Sequence, residues 1–340
     1  MNVLIRCDGS SEIGLGHIVR CLALADELSK TYGCRIAFAM RQSKAGMDIV
    51  RKKYPVLESG EESLDYEKWL SECIITTDAE VLIFDTRDNL DRSVVEKCKQ
   101  RFNVLVADVD DPEDKRLAAD LAFYPPVPQV KRMSWEDFNG ILYSGWEYII
   151  LREQFTREYP EQVNKIPLAL ITMGGSDPNN LTLKIVNALQ SIEVPVRLRI
   201  LIGAGFDYKQ IEELLSTGFD NKPEIISDCP DVARVMSEAN LAIATFGVTA
   251  YELASLGVPC LYIYLTGDHR ESASIFVSDG YGEDLGWYNE IEPGLIRSIV
   301  ARKLEELQLM KKNNLKKNER IASGTKRIAR IITERRLHSE

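Results

Sequence analysis

Three glycine-bearing turns hold the residue types from which a phosphate and sugar site can be built. The first runs Cys7-Asp8-Gly9-Ser10-Ser11-Glu12-Ile13-Gly14-Leu15-Gly16-His17. Glycines such as Gly14 and Gly16 let the backbone approach a ligand, and a helix opening near His17 offers free N–H groups and positive potential. His17 at that helix start is placed to act as a general base. Asp8 is the nearest aspartate in sequence, able to orient the imidazole, contact a sugar or cap the turn. The loop gives G-x-G, but the third glycine of a dinucleotide fingerprint falls on Val19.

The second turn is Met173-Gly174-Gly175-Ser176-Asp177-Pro178-Asn179-Asn180, after a strand and before a helix. Gly174 and Gly175 expose amides, Ser176 adds a hydroxyl, and a helix dipole points at the loop. That is the composition of a diphosphate cradle. It lacks the lysine of a P-loop, which disfavours nucleoside-triphosphate hydrolysis. In the third, Thr245-Phe246-Gly247-Val248-Thr249-Ala250-Tyr251-Glu252, the Glu252 carboxylate is expected in the first helical turn. There it can accept both hydroxyls of a ribose or simply complement the helix dipole. Asp85 ends a strand and is expected to point toward the same cleft, and His269 opens a late helix.

The elements that must position these residues follow from the apolar pattern. Short β-rich runs at 3–5, 35–40, 54–57, 79–84, 104–107 and 121–123 alternate with helical periodicity at 17–30, 43–53, 65–76 and 91–101. After a mixed stretch at 124–166, read as the linker, the rhythm restarts. Strands are expected at 168–173, 196–202, 224–226, 241–244 and 260–264, with helices at 178–191, 208–216, 230–239, 249–256 and 268–279. The class is α/β, with two Rossmann-like domains whose parallel sheets face an interdomain cleft. Ligands of such sheets bind beyond the carboxyl ends of the strands, where all three turns fall. The domains are set at 1–150, carrying the histidine loop, and 165–325, binding the nucleotide. Residues 326–340 form a helical tail, part of a charged stretch at 293–337 that reads as solvated.

The chain's 340 residues fit two domains, and 45% apolar composition suffices for two cores. A net charge of −10 argues against nucleic acid as partner. Seven cysteines at scattered positions read as reduced thiols of a cytoplasmic protein. With three histidines and no Cys/His cluster, no metal site is expected. No apolar run is long enough to span a membrane, and a monomer is favoured.

The motifs IRCDGSSEIGLGHIVRCLALA, MGGSDPNNLT, GVTAYELASLGVP and WEYIILREQF around Arg152 together resemble the pseudaminic-acid pathway nucleotide-sugar hydrolases and their spore-coat polysaccharide relatives. The resemblance runs in order over most of the chain. It implies a GT-B fold and hydrolysis of a UDP-linked 2,4-diacetamido-2,4,6-trideoxy sugar, with inversion at the anomeric carbon and no cofactor or required metal. It places the catalytic histidine on His17, the diphosphate loop on Gly174, Gly175, Ser176 and Asp177, and the ribose carboxylate on Glu252. Thr86-Arg87-Asp88 and His269-Arg270 depart from the family's usual aromatic residue and Asn-Gln, both at the expected sugar site. Two alternatives share the fold expectation: a glycosyltransferase using a sugar-nucleotide donor, and a non-catalytic nucleotide-sugar-binding module.

Overall fold

The computed structural model describes all residues except 10–14, 42–43, 60–64, 161–163, 204, 207, 217–221, 228, 310–317 and 339–340. They form two compact units, one of Met1–Glu153 with Ser323–Glu340 and one of Gln154–Ala322.

The first unit alternates β1 (Asn2–Cys7), α1 (Gly16–Tyr32), β2 (Arg35–Arg41), α2 (Lys44–Arg51), β3 (Val56–Ser59), α3 (Tyr66–Thr77), β4 (Val81–Asp85), α4 (Arg92–Phe102) and β5 (Leu105–Val109). It continues with β6 (Leu121–Tyr124), α5 (Pro128–Arg132) and β7 (Ile141–Ser144). The strands lie in the order β3-β2-β1-β4-β5-β6-β7, all pairings parallel. The second unit holds β8 (Leu168–Thr172), α6 (Leu181–Leu189), β9 (Arg197–Leu201), α7 (Tyr208–Ser216), β10 (Glu224–Ile226), α8 (Val232–Ser237) and β11 (Leu241–Thr245). After these come α9 (Val248–Leu256), β12 (Cys260–Tyr264), α10 (Gly267–Ser278), β13 (Glu283–Trp287), α11 (Pro293–Leu309) and α12 (Glu319–Ala322). Its sheet runs β10-β9-β8-β11-β12-β13, again parallel.

Both sheets are covered on two faces, so their strands are apolar on both sides. Val3, Ile5 and Cys7 of β1, with Val81 and Ile83 of β4, pack under α1 and α2. Leu4, Leu82 and Phe84 point the other way, against Trp69, Leu70, Cys73 and Ile74 of α3 and Val95 and Cys98 of α4. In the second unit, Ile171, Ile243 and Ile263 pack with Ile185 of α6 and Ile296, Val300 and Leu304 of α11. Each chain path starts at a central strand, grows to one edge, then crosses back past its start. The reversal lies between β1 and β4 in the first sheet and between β8 and β11 in the second.

The charged tail differs from its sequence reading as a solvated segment apart from the domains. Helix α13 (Gly324–Leu337) lays Ile328, Ala329 and Ile332 into the core under α1. Those three residues share one helical face, and the charges around them, Lys326, Arg327, Arg330, Arg335 and Arg336, made the composition look solvated. The entry to α13 is fixed: a Cβ on Gly324 would collide with the Ile149 carbonyl oxygen. Thr325 Oγ1 donates to the Leu151 carbonyl at 2.8 Å and accepts from its amide at 2.8 Å. The stretch 124–166 also differs from a plain linker, because α5 and β7 lie inside it and β7 extends the sheet beyond β6. No helix among the described residues is long and apolar enough to cross a membrane.

Candidate active site

Alternation along β4 sends Val81, Ile83 and Asp85 to the α1 side, and Asp85 pairs in register with Cys7. Helix α1 presents His17, Arg20, Cys21 and Leu24 at helical spacing to that same side. The result is a carboxylate at the sheet reversal with four donors around it. His17 Nδ1 is 2.6 Å from Asp85 Oδ1. Arg20 donates to both oxygens, from Nη2 to Oδ1 at 2.6 Å and from Nε to Oδ2 at 2.7 Å. Cys21 Sγ adds a contact to Oδ2 at 3.4 Å. Arg20 Nη1 also reaches Asp110 Oδ2 at 2.8 Å.

Asp85 is 1% exposed. Burial alone would push its carboxyl up, but Arg20 and the His17 hydrogen bond outweigh burial and hold it well below the usual carboxylate range. An ionised carboxylate only accepts hydrogen bonds, so Nδ1 carries a ring proton, and in the neutral imidazole Nε2 is then the bare nitrogen. The imidazole side chain keeps 23% of its surface exposed, enough for a reacting group to reach it.

Asp8 is engaged elsewhere than the sequence reading placed it. Its carboxylate pairs with the fully buried Arg6 guanidinium and accepts from the Arg41 amide at 2.7 Å. Arg6 also donates to Asp88 at 2.8 Å, and Tyr66 donates to the same Asp88 oxygen. Because Arg6 alternates with Cys7, this network lies on the α3 face of the sheet, opposite His17. The residue that orients the imidazole is therefore Asp85. Gly14 lies outside the described residues. Gly16 opens α1, and a Cβ there would meet nothing within 4 Å.

In the second unit the neighbouring strands β8 and β11 bring their turns together. A Cβ on Gly174, which sits at φ +79°, would stand 3.8 Å from Thr249 Oγ1. Gly175 and Ser176 are exposed, and Cβ atoms on Gly175 or Gly247 would meet nothing within 4 Å. The loop is braced from behind: Gly205 donates its amide to the Gly175 carbonyl at 2.8 Å, and Gly203 has no room for a side chain against Gly174.

Three expectations change here. Helix α6 begins at Leu181, not 178, and Asp177 is not open to a ligand. Its carboxylate is buried, accepting from the Leu181 amide at 2.9 Å and the Thr182 amide at 2.7 Å. Those amides are therefore spent, and a carboxylate there opposes a second anion. The start of α9, at Gly247, carries no side-chain cap. Glu252 lies in the second turn of α9, not the first, and is 6% exposed. Phe246 is buried in an aromatic cluster with Tyr251, Tyr262 and Phe276 and approaches the His269 ring at 6.4 Å, so it supports that histidine from within the core. His269 is half-buried, burial lowers its tendency to protonate, and its Nδ1 has no hydrogen-bond partner among the described residues. Arg152 is half-buried near the boundary of the first unit.

Sequence reasoning missed Arg20. The signal for Arg20 was present: it is a charge three residues after His17, on the face that also carries Cys21 and Leu24. Among the described residues no group of three or more His, Cys, Asp or Glu side chains could hold a metal ion.

Two sheets with reversal points, each ending in glycine turns, define a two-domain GT-B fold, and the solved structures agree. MurG of Acinetobacter baumannii matches with a TM-score of 0.67 at 15% identity, over 98% of this chain and 99% of that one. The calicheamicin glycosyltransferase CalG4 matches with 0.67 at 14% identity, over 99% and 98%. The UDP-GlcNAc 2-epimerase of Neisseria meningitidis, solved with UDP-GlcNAc bound, gives 0.64 at 14%, over 98% and 100%. No protein-family model matches the chain. By sequence, the chain is 28% identical over 286 residues to an uncharacterized protein of Methanocaldococcus jannaschii, covering 80% of this chain and 57% of that longer protein. It is 24% identical to the spore coat polysaccharide biosynthesis protein SpsG of Bacillus subtilis, over 84% of each chain. It is 26% identical over 284 residues to the UDP-2,4-diacetamido-2,4,6-trideoxy-beta-L-altropyranose hydrolase of Campylobacter jejuni, over 83% of this chain and 98% of that one.

Proposed function

We propose that this chain hydrolyses a UDP-activated diacetamido-trideoxy hexose at the anomeric carbon with inversion, releasing UDP and the free sugar for nonulosonic-acid or surface-polysaccharide synthesis. The observation that carries this reading is the His17–Asp85 pair. It leaves a bare Nε2 at the end of the sheet, in a chain similar along most of its length to a hydrolase of such a substrate.

In this mechanism a water attacks the anomeric carbon while Nε2 takes its proton. Asp85, already bonded to Nδ1–H, stabilises the imidazolium that forms. The bond from the anomeric carbon to the phosphate oxygen breaks, and its electron pair leaves with UDP. The transition state is oxocarbenium-like. The amides of Gly174–Ser176 and the uncapped start of α9 would hold the diphosphate and its growing charge. Glu252 would accept the ribose hydroxyls.

Transfer to an acceptor hydroxyl instead of water is the second reading, favoured by glycosyltransferases among the solved structures of this fold. Incubating the chain with the nucleotide-sugar alone separates them. UDP and free sugar of inverted configuration, followed by NMR, support hydrolysis. UDP release that waits for an added acceptor assigns transfer. UDP-, GDP- and CMP-linked amino sugars tested side by side define the donor.

A further inference from the structure

We propose that Arg20 is a positioning residue that decides which ring nitrogen of His17 is bare, by keeping the buried Asp85 in its acceptor-only form. The inference rests on the reading of His17 as the base. Arg20 is the one cation that touches Asp85 among the described residues, and it does so through both carboxylate oxygens. Its own far side is anchored by Asp110. Asp110 adopts φ +54°, a left-handed conformation that L-residues seldom take. The turn thus holds an unfavourable backbone geometry in which the side chain faces α1.

Three elements face the imidazole: Arg20 from its own helix, Asp85 from β4, and Asp110 through Arg20 from the turn after β5. Arg20 Nη2 approaches His17 Nδ1 to 3.3 Å, but both are donors aimed at Asp85 Oδ1. Without the guanidinium, burial acts on Asp85 unopposed except by the imidazole and the Cys21 thiol. The carboxyl then takes a proton from solvent and becomes the donor to Nδ1. The single proton of the neutral ring moves to Nε2, and the nitrogen needed as base is blocked. A lysine can supply the charge but not the two-oxygen fork.

The test is a long-range ¹H–¹⁵N spectrum of the labelled full chain, recorded from neutral to mildly alkaline pH. His17 is assigned by its loss in His17→Asn, among three histidines in all. The wild type is expected to show protonated Nδ1 and bare Nε2. Arg20→Gln is expected to show the proton on Nε2 or a mixture of tautomers, and Arg20→Lys a partial return. With substrate, Arg20→Gln should lower kcat about 10²-fold and leave KM within about twofold. A folded Arg20→Gln with the wild-type tautomer overturns the inference. Should Arg20→Gln not fold, Arg20→Met decides: it keeps the aliphatic stem and removes the charge beside Asp85, and a wild-type tautomer there overturns the inference equally. The spectra need no substrate, so this outcome stands whether or not any nucleotide-sugar is hydrolysed.

Discussion

Asp85 Oδ1 lies 2.6 Å from His17 Nδ1, and this contact ties the start of α1 to the end of β4 across the reversal point of the first sheet. Removing either partner has separable consequences. His17→Asn should lower turnover by about 10²–10⁴-fold, the usual worth of a positioned general base. UDP affinity, measured by calorimetry, should be nearly unchanged, because the groups proposed to hold the diphosphate lie in the other unit. Loss of UDP binding and turnover together would mark His17 as structural.

Asp85→Asn acts on stability as well as chemistry. It leaves the Arg20 guanidinium short of its main buried partner, a change that typically costs about 3 kcal/mol or more. The pH dependence has a definite sign. Asp85 titrates lower in the folded chain than in the unfolded one. Its contribution is complete above the unfolded value of about 3.9 and is lost as pH falls below that toward the folded one. Urea unfolding should therefore show the gap between wild type and Asp85→Asn shrinking from neutral pH toward pH 3. A gap independent of pH would mean that Asp85 is not charged in the fold.

Asp108 provides the opposite case on the other face of the same sheet. Burial, then the nearby Asp111, pushes its carboxyl well up, and its Oδ2 lies 2.6 Å from the Tyr124 hydroxyl. A carboxyl that stays protonated when folded loses ground as pH rises, because the unfolded chain ionises above about pH 4. Asp108→Asn keeps a donor and acceptor of the same shape. It is expected to be near-neutral at pH 5 and stabilising by pH 8 in thermal unfolding. Destabilisation that grows with pH would show that Asp108 is ionised.

These contrasts indicate what the chain's letters could and could not disclose. The strand-end turns were legible because runs such as Val3-Leu4-Ile5 and Leu241–Ala244 are apolar on both faces, and the glycines that follow stand out. The His17–Asp85 pairing was not, because it depends on β1 and β4 being neighbours in register, a long-range fact. β13 was missed because Glu283, Asp284 and Gly286 interrupt its pattern, and β7 because it is short and its Ile141 and Leu142 are exposed. The resemblance placed Asp177 in the diphosphate loop, with the helix expected from 178. The helix starts three residues later, which turns the same carboxylate back onto the amides of α6.

Helix α13 is expected to be essential to the first unit. Ile332→Ala removes a fully buried side chain from the core under α1, a change that typically costs about 2–5 kcal/mol. Arg335→Ala, at the end of the same helix, should cost less than about 0.5 kcal/mol. Chemical denaturation of both checks this, and equal effects would put α13 outside the core.

The last prediction separates cap from cradle in the second unit. Asp177 accepts two helix amides and is buried, whereas Ser176 beside it is exposed on the turn that faces Thr249. Asp177→Ala leaves the Leu181 and Thr182 amides unsatisfied and should cost about 0.5–2 kcal/mol of stability, as loss of a helix cap does. It also removes a negative charge from beside the proposed diphosphate, so UDP affinity should hold or rise wherever the fold survives. Gly175→Pro instead removes one amide of the cradle while keeping the cap, and should weaken UDP binding more than it lowers the unfolding midpoint. Calorimetric UDP titrations alongside thermal unfolding of both variants give the two readings. Asp177→Ala losing UDP affinity at unchanged stability would return that carboxylate to the ligand.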